Sequence, residues 1–113
     1  MALDTLLVDR TREALASQTE NVVEKKMFGG ICFMVNDKMC VGVREKELMC
    51  RMDPEDAEIE LEKGNCRIMV HGKKPIRGYI FVEEIGYRNP RDFQRLIDLC
   101  IDFNRIARST KRK

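Results

Sequence analysis

Met27-Phe28-Gly29-Gly30-Ile31-Cys32-Phe33-Met34-Val35-Asn36-Asp37-Lys38-Met39-Cys40-Val41-Gly42-Val43 reads as two apolar strands joined by a short polar turn. Asn and Asp tolerate positive φ better than other non-glycine residues, so Asn36-Asp37 suits a two-residue hairpin loop. A turn that tight sets Met34 opposite Met39 and Phe33 opposite Cys40. Alternation then gives one face Ile31, Phe33, Val35 and Cys40, and the other Cys32, Met34, Met39, Val41 and Val43. Both faces are apolar, whereas a hairpin with one wet face alternates apolar with polar. The ribbon is therefore expected in the interior of its sheet, with its second face covered too. A second copy of the chain is one candidate cover. Ile31, Phe33, Met34, Met39 and Val41 are the candidate core or dimer face. Gly29-Gly30 marks a turn or bulge ahead of the ribbon.

Outward from the ribbon the pattern alternates between helix and strand. Leu3, Leu6, Leu7, Ala14 and Leu15 recur with helical period over residues 2–18. Residues 22–28 begin the sheet, and residues 47–52 set Leu48, Cys50 and Met52 against Glu47, Met49 and Arg51. Asp53-Pro54-Glu55-Asp56 then announces a helix: an N-cap, a proline for the first helical position, and acids for the positive end of the helix dipole. Gly64 suits its far end. Cys66, Ile68 and Val70 alternate as a strand, residues 71–77 read as a basic loop, and residues 79–82 as a further strand. Asn89-Pro90-Arg91-Asp92 repeats the start signal. Phe93, Leu96, Ile97, Cys100, Asn104 and Ala107 follow at helical spacing. The expected fold is α+β: an antiparallel sheet of about five or six strands, helices packed on one face, in the order α-β-β-β-β-α-β-β-α.

A chain of 113 residues is read as one domain, with residues 108–113 a frayed basic tail. Charged residues make up 35% of it, yet the net charge is only +2, so no global polycation argues for nucleic acid. No apolar run approaches the roughly 20 residues that span a bilayer. The first residues lack a secretory pattern, and the five cysteines are odd in number and irregularly spaced. Free buried thiols in a reducing cytoplasm are the expectation.

The string from Met27 to Val43 resembles the N-terminal domain of the TfoX/Sxy family. The likeness continues through Arg51-Met52-Asp53-Pro54-Glu55-Asp56 and Gly72-Lys73-Lys74-Pro75-Ile76-Arg77-Gly78-Tyr79-Ile80-Phe81-Val82. It closes with the helix from Pro90 to Ala107, and covers roughly residues 10–107. The resemblance implies an antiparallel α+β domain and a link to bacterial competence regulators, proteins that assist transcription. It brings no catalytic residues. Those regulators carry a second, helical domain after this one, and the family often has an aromatic residue where this chain has Cys40.

The chemistry-bearing residues form no enzyme set. His71 is the only histidine, and no Cys pair has the two-to-four spacing of a zinc site, so no metal or other cofactor is expected. No Ser-His-Asp or Cys-His-Asn set is suggested. Lys73, Lys74 and Arg77, between Gly72 and Gly78, could hold an anion or an acidic partner, although the order is wrong for a P-loop. A solvated turn is the simpler account. Arg105, Arg108, Lys111, Arg112 and Lys113 could attract nucleic acid, or merely favour a helix C-terminus. Six methionines, Met27, Met34, Met39, Met49, Met52 and Met69, cluster in the strands, and methionine suits surfaces that accept varied partners. The expected function is a non-enzymatic regulatory or protein-interaction module, with homodimerisation possible. A nucleic-acid-binding accessory protein is the alternative, and a thiol-redox protein a weaker one.

Overall fold

The computed structural model describes residues 4–27 and 29–107. Along the chain run α1 (Thr5–Ala16), β1 (Val22–Met27), β2 (Gly30–Val35), β3 (Lys38–Arg44), β4 (Glu47–Arg51), α2 (Pro54–Glu62), β5 (Cys66–His71), β6 (Lys74–Val82), α3 (Glu84–Tyr87) and α4 (Pro90–Asn104). The strands form one antiparallel sheet in the order β1-β2-β3-β4-β6-β5. The α+β class and element order agree with the expectation, with α3 as a single extra turn between β6 and α4.

The helix starts follow from their first residues. The Asp4 carboxylate accepts from the Leu7 backbone N–H at 3.0 Å. Asp53 accepts from Glu55 at 2.9 Å, with Pro54 in the first turn. Asn89 accepts from Arg91 at 2.8 Å, with Pro90 likewise placed. Each side chain satisfies an N–H that the helix itself leaves without a partner. Asn89→Ala is expected to lower the unfolding free energy by about 1 kcal/mol, with Asn89→Ser nearly neutral. Urea denaturation measures both, and an alanine variant as stable as the parent would show the cap to be idle.

Helices cover one side of the sheet. Leu7, Val8 and Leu15 of α1, Ala57 of α2, Tyr87 of α3, and Phe93, Leu96, Ile97, Cys100 and Ile101 of α4 pack with Phe33, Val35, Val41, Val43, Leu48, Cys50, Ile80 and Val82. The far end of α4 is tied to the β2–β3 hairpin. The Asn104 side-chain amide donates to the Val35 carbonyl at 3.1 Å, and Lys38 Nζ donates to the Ala107 carbonyl at 3.2 Å.

The hairpin departs from the simple register in one place. Asn36 and Asp37 both have positive φ, 53° and 66°, and Met34 does face Met39. A bulge follows, so Phe33 pairs with Val41 and not with Cys40. The extra residue reverses the alternation. Val41 and Val43 therefore join Phe33 and Val35 under the helices, correcting their expected place beside Met34. The ribbon is interior to the sheet, between β1 and β4.

Its second face is buried within the chain itself. Cys32, Met34, Met39, Met49, Met69 and Phe81 form a second apolar cluster, all at most 8% exposed, with Ile76 and Tyr79 against it. Strand spacing of about 4.8 Å would put β1 and β5 some 24 Å apart in a flat sheet. Yet Met27 of β1 and Val70 and His71 of β5 line the same cleft. The sheet is thus strongly curled. β6 pairs with β4 only over Tyr79–Val82, and Gly78 has φ +89°. Beyond that point the β5–β6 hairpin leaves the plane and closes over the methionines. Burial of this face does not require a second copy.

Candidate binding face

Curling makes the open side of the sheet concave. Its floor is Met34 and Met39 on the central hairpin, with Phe81 and Tyr79 from β6. Its walls are Met27 on one edge and Met69, Val70, His71 and Ile76 on the other, with Arg44 at the rim. The cleft measures about 460 Å³, within the range of roughly 300–1,000 Å³ for ligand sites. Met27 and Val70 lie at its edges, exposed by 37% and 54%, and Val23, the cross-strand partner of Met34, is exposed by 52%. Methionine side chains are unbranched and polarisable, so such a floor can reshape around differing apolar guests.

The charges on this side are mostly positive. Residues opposite one another in an antiparallel ladder share a face. Lys25 therefore lies over Cys32, and Arg67 beside Phe81. Arg44 stands 4.4 Å and Arg67 4.8 Å from the Phe81 ring centre, and Arg51 lies 5.3 Å from that of Tyr79. Glu47 answers two of these cations: it accepts from Arg67 at 2.9 Å and lies 3.5 Å from Arg44. The Arg67 hydrogen bond, with help from Arg44 and against partial burial, holds the Glu47 carboxyl below its ordinary range.

This is part of a wider segregation. Among the described residues the strands carry eight lysines and arginines (Lys25, Lys26, Lys38, Arg44, Arg51, Arg67, Lys74, Arg77) and two carboxylates (Glu24, Glu47). The helices carry four arginines against eleven acids. A near-neutral total conceals a basic sheet and an acidic helical layer.

The residues singled out from sequence are distributed across this frame. Residues 71–77 are no loop: β5 runs to His71, β6 starts at Lys74, and only Gly72-Lys73 turn between them. Lys73 and Lys74 stand exposed at that hairpin tip, while Arg77 donates to Glu58 of α2 at 3.1 Å. The three do not converge on one point. Of the candidate core or dimer face, Phe33 and Val41 are buried under the helices with Ile31 packed against them, and Met34 and Met39 face the cleft. Arg105 lies 3.7 Å from Asp102, and Arg108, Lys111, Arg112 and Lys113 fall outside the described residues. Sequence reading missed Lys25, Arg44, Arg51 and Arg67. Their signal was strand parity: Arg51 and Arg67 occupy the polar positions of alternating strands and so share the methionines' face.

Cys32, Cys40, Cys66 and Cys100 are suppressed as nucleophiles. Burial pushes Cys32 up to about 11 and Cys66 to about 11, and it raises Cys40 further. Cys100 is raised by its contact with Cys50 and by burial. Little thiolate exists at neutral pH under these conditions. Among the described residues no three His, Cys, Asp or Glu side chains are grouped to hold a metal ion. No helix there is long and apolar enough to cross a membrane.

Residues 13–104 match the TfoX N-terminal domain. The chain belongs to the TfoX N-terminal domain family. Its expected antiparallel α+β fold is the one observed. Searches of curated proteins and of solved structures each found no match. In this TfoX N-terminal domain the cleft and its basic rim lie on the sheet face opposite the helices.

Proposed function

We propose that this domain is a regulatory protein-interaction module, without catalytic machinery of its own, that seats an acidic, apolar segment of a partner protein on the open face of its sheet. The observation that carries this is one arrangement: a methionine-lined cleft flanked by Lys25, Arg44 and Arg67 on strands that hold far more cations than carboxylates. Apolar side chains of the partner would be desolvated in the cleft. Its carboxylates would meet the rim, which favours encounter and orientation more than raw affinity. Family membership supports a regulatory setting, in the manner of competence regulators. A second copy docked face to face would oppose these cations to themselves, so the partner proposed is a different chain.

Site-specific photocrosslinking in producing cells tests the reading. A benzophenone amino acid at Val70, on the cleft edge, is expected to capture a discrete protein. The same probe at Ile59, exposed on α2, is expected not to. Arg44→Glu with Arg67→Glu should abolish the Val70 adduct. Equal adducts from both positions would overturn the proposal. A nuclease-sensitive adduct at Val70 would instead favour nucleic acid, and a product of twice the chain's mass would favour self-association.

A further inference from the structure

The same face holds a chemical feature besides its shape and charge. Cys32 and Met34 project from β2 on one side, and the Cys32 thiol donates to the Met34 thioether with the two sulfurs 3.9 Å apart. A d10 metal ion bonds sulfur at about 2.3 Å. At the wide angles of a trigonal or tetrahedral centre, two such sulfurs are held about 4 Å apart. The Cys32–Met34 spacing is therefore already that of a metal-bound pair, with a proton where the metal would lie. Met39 is the cross-strand partner of Met34 and lines the same cleft, and Met49 belongs to the same buried cluster.

We propose that Cys32, Met34 and Met39 form a soft-metal site that takes a single Cu(I) ion through the cleft. Thioethers are neutral, soft donors and select Cu(I) over hard cations. The surrounding charge agrees. Lys25, Arg44 and Arg67 on this face oppose a bare divalent ion. Cu(I) with one thiolate is neutral overall and suits a nearly dry apolar cluster. On binding, the Cys32 S–H bond breaks and its proton leaves to buffer, while the sulfur lone pair bonds the metal. Copper arrives as Cu(I) from its carrier and stays Cu(I), so no electron is transferred. Uptake should therefore weaken as pH falls. This proposal is independent of the partner reading, since it needs the sulfurs and not the rim.

The test is an anaerobic titration of the full chain against Cu(I) held by the coloured chelator bicinchoninate, together with spectra of 13C-labelled methionine methyl groups. The wild-type chain is expected to withdraw about one equivalent, with the Met34 and Met39 methyl signals shifting. Met34→Leu with Met39→Leu, which keeps the apolar volume, should weaken uptake by about tenfold or more. Cys32→Ala should abolish it, and Cys66→Ala, which alters a thiol on the other side of the sheet, should leave it intact. Circular dichroism confirms folding of each variant, and the leucine pair carries the test if Cys32→Ala does not fold. A wild-type chain that leaves the chelator untouched would overturn the site. So would leucine variants that bind as tightly as wild type, or loss of uptake with Cys66→Ala.

Discussion

Replacing Gly30 with alanine is expected to lower the unfolding free energy by at least about 3 kcal/mol, a large part of the 5–15 kcal/mol typical of a whole domain. A Cβ built at this position lies 2.0 Å from the Val43 carbonyl oxygen and 2.9 Å from its carbon. Both atoms belong to the backbone of β3, so no rotamer change relieves the clash. The β2–β3 ladder would have to part at the start of β2, where both strands are interior to the sheet. Gly64→Ala makes the contrast. It has open space around it but a φ of +86°, and should cost only about 1 kcal/mol in backbone strain. Urea denaturation of the two variants separates steric from conformational demand. Near-equal losses would show that the ladder gives way at Gly30.

The second large effect is expected at Glu60, whose side chain is buried to all but 6%. Its carboxylate accepts from Arg95 Nη1 at 2.5 Å and from Lys63 Nζ at 3.2 Å. Burial pushes the Glu60 carboxyl upward, but the Arg95 and Lys63 hydrogen bonds and charges outweigh it, and the group ends below its ordinary range. Arg95→Met removes the main partner and leaves a buried charge, a class of change that costs roughly 3–5 kcal/mol when the site is dry. Arg95 and Lys63 are themselves 39% and 49% exposed, so about 2 kcal/mol is the expectation. Adding Glu60→Gln should recover much of that loss, because the unpaired charge is then gone.

The pH dependence follows in sign. The folded Glu60 carboxyl titrates below its unfolded value near 4.3. Its contribution is complete above that value and is lost as pH falls through the lower folded value. In Arg95→Met the upward push of burial loses its main opponent, and the carboxyl moves up. Stability measured from pH 7 to pH 3 should then fall less steeply for the variant than for the parent. Parallel curves would show that Arg95 does not hold the Glu60 proton off.

The sequence was legible wherever a local rule governs. Asn36-Asp37 adopts the left-handed turn because few other residue pairs do so at low cost. Asp53-Pro54 and Asn89-Pro90 start helices because the unpaired N–H groups there need an acceptor. The stripe from Phe93 to Cys100 buries as read, and Ile101 joins it. Three features were not legible. The bulge after Met39 inserts one residue, and a single insertion reverses a two-residue period, so Val41 and Val43 changed faces. The basic loop was a hairpin tip because β6 begins five residues before the strand read from Tyr79. The curl of the sheet depends on Gly78, a register shift in β5–β6 and contacts among strands far apart in sequence.

By itself, then, the chain's sequence determined the α+β class, the order of its main helices and strands, and that the ribbon from Ile31 to Val43 needs cover on both sides. Tertiary structure alone decided what supplies that cover, and which charges keep company with the methionines. The reason is physical. Turns, caps and periodicity act over a few residues, whereas the concave face exists only after β1 and β5, at opposite edges of the sheet, are brought round to line the same cleft.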